Sequence, residues 1–115
     1  KPVFLTNFPR EMKAFYMKPA EDGKTVLGVD LLMPGVGETS GGSERISDSK
    51  ELEDSMKIFK LKKEDYGWYM DLRKYGSVPH SGYGLGLARL LMWITGSEHI
   101  MDVIAFPRTM DRMTP

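Results

Sequence analysis

Four charged side chains carry the chemical interest of this sequence: Asp30, Glu38, Arg45 and Arg89. Asp30 is the single charge in Thr25-Val26-Leu27-Gly28-Val29-Asp30-Leu31-Leu32-Met33, an almost wholly apolar run. A buried charge is costly unless it is paired or bound to a metal, so Asp30 points to a site or at least to a cationic partner. If Glu38 faces Asp30 across the Pro34–Gly37 turn, the two form a carboxylate pair suited to a hard divalent cation such as Mg²⁺. Glu38 and Arg45 stand seven positions apart. A regular strand would put them on opposite faces. Both reach one pocket only through a β-bulge, and Gly41-Gly42 is the natural place for it. The competing reading of this segment is a polar edge strand with a solvated Glu and Arg.

A second constellation lies in Pro79-His80-Ser81-Gly82-Tyr83-Gly84-Leu85-Gly86-Leu87-Ala88-Arg89. In a strand, Gly82, Gly84 and Gly86 leave one face bare while Tyr83, Leu85 and Leu87 anchor the other in a core. A bare floor admits a planar ring or another backbone at close range. Arg89, at the exit of that floor, has the charge and geometry to meet phosphate. Metal carboxylates, an aromatic-sized floor and two arginines suit adenylate or phosphoryl transfer, where positioning and charge stabilisation dominate.

Other chemistries are excluded. The three glycines do not fit G-x-G-x-x-G, and no G-x-x-x-x-G-K-[ST] loop or G-x-S-x-G elbow occurs. His80 and His99 are 19 apart without further ligand spacing, which argues against zinc. The chain has no cysteine, so it has no disulfide, thiolate site or cysteine nucleophile, which fits a cytoplasmic setting. With 115 residues, 41% hydrophobic and 28% charged, it reads as one soluble globular domain or part of one. No apolar run is long enough to span a membrane. Net charge is zero, so a nucleic acid would have to be gripped mainly elsewhere. The sequence begins at Lys1 rather than at a methionine, which suggests a fragment or a processed product.

The elements that must position these residues follow from periodicity and breakers. Val3–Thr6 and Lys13–Met17 read as short strands, and Thr25–Met33 as a strand covered on both faces. Phe15 and Tyr16 read as core residues. The spacing of Leu52, Met56 and Phe59 predicts a helix over 48–61, capped by Asp48 or Ser49, with Lys57, Lys60, Lys62 and Lys63 in solvent. A largely covered helix is expected over 64–75, with Tyr66, Tyr69, Met70 and Arg73 on one side and Gly76 ending it. Leu87, Leu90, Leu91 and Ile94 predict an amphipathic helix closed by Gly96, with Arg89 off the apolar stripe. Asp102–Phe106 reads as a last strand, stopped by Pro107. Strands and helices interleave without a βαβ rhythm, so the fold class is α+β, an antiparallel sheet flanked by helices.

The sequence also resembles a known family. Gly82-Tyr83-Gly84-Leu85-Gly86-Leu87-Ala88-Arg89 is similar to the third signature motif of class II aminoacyl-tRNA synthetases. Lys13–Met17, Val29–Pro34, Gly37-Glu38, Gly41-Gly42-Ser43 with Arg45, Arg73–Gly76, Pro79-His80 and Phe106–Arg108 follow in matching order. Together they resemble the C-terminal part of the catalytic domain of asparaginyl-tRNA synthetases over essentially residues 1–115. Ala88 stands where many relatives carry an acid, and Met101 where an arginine is common.

This resemblance implies that Arg89 contacts the ATP γ-phosphate while Gly82, Gly84 and Gly86 floor the adenine. It implies that Asp30 and Glu38 bind Mg²⁺ on ATP and that Arg45 reads the side-chain carbonyl of the amino acid. Aspartyl relatives read a carboxylate from the same position, but the Asp30–Glu38 spacing and the Gly-Gly-Ser look asparaginyl. The implied activity is ATP-dependent activation of asparagine and its transfer to tRNA, on an antiparallel sheet, by a homodimer. The first two class II motifs and the anticodon-binding domain are not in this sequence, so it should supply about half of an active site and be inactive alone. Rival readings are a synthetase-like asparagine synthetase acting on aspartate, and a non-catalytic paralogue serving as a binding module.

Overall fold

The structure, a computed structural model, describes residues 1–114. Strands β1 (Val3–Thr6), β2 (Gly28–Met33), β3 (Gly37–Glu44) and β4 (Ser81–Leu85) form one sheet in that order, every neighbour antiparallel. The β2–β3 turn depends on glycine: Gly35 has φ +80° and Gly37 φ +76°, both left-handed. Three helices follow the sheet's first three strands or flank its last: α1 (Ser49–Ile58), α2 (Gly67–Lys74) and α3 (Leu87–Thr95). The expected α+β architecture is present.

Register places the chemistry. Leu5, Asp30, Gly41 and Gly84 lie in one row across the four strands, and Gly28, Ser43 and Gly82 in the next row on the same face. The opposite face carries Val29, Gly42 and Tyr83, then Leu31, Ser40 and Leu85. The two glycines of β4 therefore do face one way, as their alternation implied. Their apolar partners do not reach a core here, since Tyr83 is 77% exposed and Leu85 and Leu87 are also open. For the same reason β2 is covered on one face only, with Val29 exposed on the other. β2 also begins at Gly28 rather than at Thr25.

The bulge that the Glu38–Arg45 spacing demands is present, but two residues before Gly41-Gly42. Leu31 pairs with Ser40 but Leu32 pairs with Glu38, so Thr39 is the extra residue. Thr39 is buried, and its carbonyl accepts a 2.8 Å bond from the Gly86 amide. That bond fixes where the bulge falls and ties β3 to the start of α3.

The core sits at the end of β3 rather than under its middle. Ile46, Leu52, Met56 and Met70 are buried together, with Phe15, Tyr16, Leu61, Tyr66 and Tyr69 packed around them. α1 starts as expected, because the Asp48 side chain accepts a 2.7 Å bond from the Glu51 amide. Arg73, itself buried, donates to the Ile46 carbonyl at 3.0 Å and lies over the Tyr69 ring. Truncating Leu52 to alanine is expected to destabilise the fold by about 2–5 kcal/mol, read by urea denaturation, because the site is fully enclosed.

Three expected elements differ. Lys13–Met17 is no strand; the Met17 amide bonds back to Ala14 in a turn, and a single bridge joins Met17 to Arg45. Phe15 and Tyr16 accordingly point the same way, Phe15 packing 4.9 Å from Tyr66 and Tyr16 6.3 Å from Tyr69. Buried Ser55 holds this turn on α1 by donating to the Phe15 carbonyl at 2.6 Å. Lys18 adds a 2.7 Å pair to Glu51, whose carboxylate holds the ammonium above its ordinary pKa. That contribution is full below the ordinary lysine pKa and is lost as pH rises through the raised one.

The second helix splits into a 3-10 turn (Lys63–Tyr66) and α2, and its Trp68, Leu72 and Tyr75 are exposed rather than covered. The run 102–106 forms no strand, its start lying in a 3-10 turn (Ile100–Val103) with no strand beside it among the described residues. α3 ends at Gly96 in the left-handed region, as its position implied, yet none of its residues is buried. No helix among the described residues is long and apolar enough to cross a membrane.

Candidate functional site

The glycine row of the sheet brings the two carboxylates together. A Cβ placed on Gly41 would lie 2.8 Å from Glu38 Oε1 and 3.0 Å from Asp30 Oδ1. Both oxygens therefore converge on the space above Gly41, and the Thr39 bulge is what turns Glu38 to that side. Asp30 is nearly buried and has the cationic partner its setting demanded, Lys13, whose Nζ lies 2.6 Å from Oδ2. Oδ1, the oxygen toward Glu38, is a different atom from the one Lys13 holds.

Arg89 leaves the first turn of α3 and donates to the backbone carbonyl of Glu38. Glu38, Thr39, Gly41, Gly84, Leu85, Gly86 and Arg89 line one open cleft of about 340 Å³. Above Gly84 no atom lies within 4 Å of where a Cβ would sit, so that part of the floor is bare. Such a cleft, with a bare floor, the Glu38 carboxylate and the Arg89 guanidinium in its lining and Asp30 close by, suits a polyanion carried with a cation.

The floor is shorter than three glycines. A Cβ on Gly82 would meet Arg45 Nη2 at 3.0 Å, so the space over Gly82 belongs to Arg45. Gly86 lies beyond β4, as the residue before α3, with its missing side chain facing the Thr39 carbonyl and Arg89. Gly84 alone is an open strand glycine on this face.

Arg45 is on the same face as Asp30 and Gly84 but opens into a neighbouring cup of about 450 Å³, with Phe15, Tyr16, Tyr66, Trp68 and Tyr69. Its guanidinium lies 4.7 Å over the Tyr16 ring and donates at 2.8 Å to Ser43 Oγ. Stacking on one side and a hydrogen bond on another leave the remaining donors of a planar fork for a ligand. Three larger concavities, of about 710, 680 and 460 Å³, share no lining residue with either.

Both carboxylates offer hard oxygens, the donor type Mg²⁺ takes when substrate phosphates and water complete its shell. The residues fit that ion in this way only, because no group of three ligating side chains occurs among the described residues.

Comparison with known proteins decides the family. A family profile described as tRNA synthetases class II (D, K and N) matches residues 1–110. The chain belongs to the class II tRNA synthetases.

Within this family, the chain is 59% identical over 109 residues to the asparagine–tRNA ligase of Clostridium botulinum, covering 95% of itself and 24% of that relative. It superposes with TM-score 0.93 and 49% identity on the asparaginyl-tRNA synthetase of Entamoeba histolytica in complex with asparaginyl-adenylate, covering 99% of this chain and 26% of that one. An aspartyl-tRNA synthetase of the same organism shares the fold at TM-score 0.91 but only 30% identity, covering 99% of this chain and 24% of that one. The chain thus spans about a quarter of the length of these synthetases.

Several contributors to the site were not legible in advance. Lys13, Tyr16, Ser43 and Thr39 each hold a predicted residue in place. Ser43 carried a usable signal, since i and i+2 share a strand face. Lys13 carried another: like Asp30, it is a lone charge beside apolar residues, and two such charges are most cheaply buried together.

Proposed function

We propose that the full-length protein activates asparagine with ATP to an asparaginyl-adenylate and transfers the amino acid to its tRNA. The observation that carries this reading is the convergence of Asp30 and Glu38 above Gly41, at the edge of the glycine-floored cleft that Glu38 and Arg89 line, with Arg45 on the same sheet face. Identity of 59% with an asparagine–tRNA ligase, against 30% with an aspartyl-tRNA synthetase, supports asparagine over aspartate.

In this proposal the α-carboxylate of asparagine attacks the α-phosphorus of ATP, and pyrophosphate leaves. Arg89 meets the γ-phosphate and offsets charge on the leaving side. Asp30 and Glu38 hold Mg²⁺, which when bound neutralises the phosphates and fixes their conformation. Gly84 and Gly86 let the nucleotide approach the backbone, and Gly82 makes room for Arg45. Arg45 donates to the side-chain carbonyl of asparagine from a position set by Tyr16 and Ser43. The protein acts in the cytoplasm as a homodimer, and tRNA is gripped mainly by parts outside residues 1–115.

ATP–pyrophosphate exchange by the full-length protein, dependent on asparagine and not on aspartate, is the expected result. Aspartate dependence would transfer the reading to a synthetase-like asparagine synthetase. Failure to bind ATP would point to a binding module. The chain of residues 1–115 alone is expected to give no exchange, since it spans about a quarter of its relatives.

A further inference from the structure

Among the described residues, Lys13 is the one charged side chain that touches the proposed metal pair without a role in it. Its ammonium lies 2.6 Å from Asp30 Oδ2 and 3.7 Å from the centre of the Phe8 ring, with both charged side chains mostly shielded. An aromatic face beneath and a carboxylate beside it hold the cation in place. The consequence is a charge count. Asp30 and Glu38 bring two negative charges to the cleft, while Lys13 and Arg89 bring two positive ones. Two carboxylate oxygens are also few donors for a hard cation, and no third ligating side chain joins them among the described residues.

We propose that Lys13 makes the carboxylate pair unable to hold free Mg²⁺, so that the cation enters only as its nucleotide complex. This rests on the preceding assignment of Asp30 and Glu38 as the metal carboxylates. The triphosphate supplies the negative charge that Lys13 and Arg89 have cancelled, together with the missing oxygen donors. Lys13 leaves Oδ1 of Asp30 toward Glu38, so the pair stays arranged for the cation while its charge is reduced. Removing one positive charge at this range should tighten binding of a free divalent cation on the order of 10-fold to 100-fold.

The test is Mn²⁺ titration of the full-length protein by electron paramagnetic resonance, with and without a non-hydrolysable ATP analogue. The wild type is expected to bind Mn²⁺ tightly only with the analogue. Lys13→Met should bind Mn²⁺ without nucleotide at least 10-fold more tightly than the wild type, and Lys13→Arg should behave as the wild type. The inference is overturned if Lys13→Met binds no more tightly, or if Lys13→Arg gains as much. It is also overturned, whatever the variants do, if the wild type binds Mn²⁺ equally with and without nucleotide. No Mn²⁺ binding even with the analogue would instead remove the metal assignment, and this inference with it.

Discussion

Arg45→Leu in the full-length protein is expected to lower kcat/KM for asparagine in pyrophosphate exchange by on the order of 10³-fold or more. A pocket built to hydrogen-bond a polar side chain discriminates strongly because its own groups are otherwise left unpaired. Arg45 is built in this manner: Tyr16 lies under the guanidinium at 4.7 Å and Ser43 accepts one donor at 2.8 Å. The affinity for ATP should hardly change, since Arg45 lines the aromatic cup and not the cleft of Glu38 and Arg89. Arg45→Lys should fail nearly as badly, because an ammonium neither stacks as a plane nor offers a fork. Removing the support should act in the same direction with smaller size. Tyr16→Leu is expected to raise the KM for asparagine by about 10-fold while kcat changes less, as loss of a cation–π contact would. An equal loss of ATP affinity in Arg45→Leu would show that the two concavities are not the separate subsites proposed.

The parts of this site that were legible in the sequence are those where a residue type contradicts its setting. Asp30 in an apolar run, and an arginine after alternating glycines, each violate a local expectation; Arg89 lines the cleft, and Asp30 approaches Gly41 at its edge. The bulge was legible from arithmetic alone, since Glu38 and Arg45 cannot share a face otherwise. Its location was not. The glycines at 41 and 42 are the most permissive residues, but the Gly86 amide and the shift between Leu31 and Leu32 select Thr39. The bulge interrupts pairing with β2, a near neighbour in sequence, but the amide that holds it, Gly86, is distant in sequence.

The misread elements have the same origin. Lys13–Met17 and 102–106 have the composition of strands, and a strand also needs an edge to pair with. The first finds only one bridge and turns instead, because Lys13 is drawn to Asp30 and the Phe15 carbonyl to Ser55. Trp68, Leu72, Tyr83 and Leu87 illustrate a related limit. Apolar periodicity marks a face suited to burial, but the covering group has to come from elsewhere. Among the described residues nothing covers these four, whereas Leu52 and Ile46 find each other across α1 and the end of β3.

The adjacent glycines of β3 separate fold from chemistry, and substituting each with alanine should show it. Gly41→Ala is expected to leave the melting temperature of the full-length protein nearly unchanged while kcat/KM for ATP falls by about 10²-fold. Its new methyl would meet Glu38 Oε1 at 2.8 Å and Asp30 Oδ1 at 3.0 Å, the free ends of side chains that can swing away. The fold tolerates that movement, but the carboxylates would no longer converge, and displacements near 1 Å are enough to cost such a factor. Gly42→Ala should do the reverse. Its methyl points to the opposite face and would meet Tyr83 Cβ at 2.9 Å and the Gly82 carbonyl at 3.0 Å, atoms fixed to the neighbouring backbone. Relief there requires β3 and β4 to part, so a destabilisation of about 1–3 kcal/mol is expected. Activity per folded molecule should survive better than in Gly41→Ala, because the face with Asp30, Glu38 and Gly84 is not crowded. Equal loss of stability in both variants, or full ATP turnover in Gly41→Ala, would mean that the site does not use the convergence above Gly41. Because the two substitutions add the same atoms one residue apart, composition and helix or strand propensity cancel between them. Only the direction in which each methyl points remains to account for the difference.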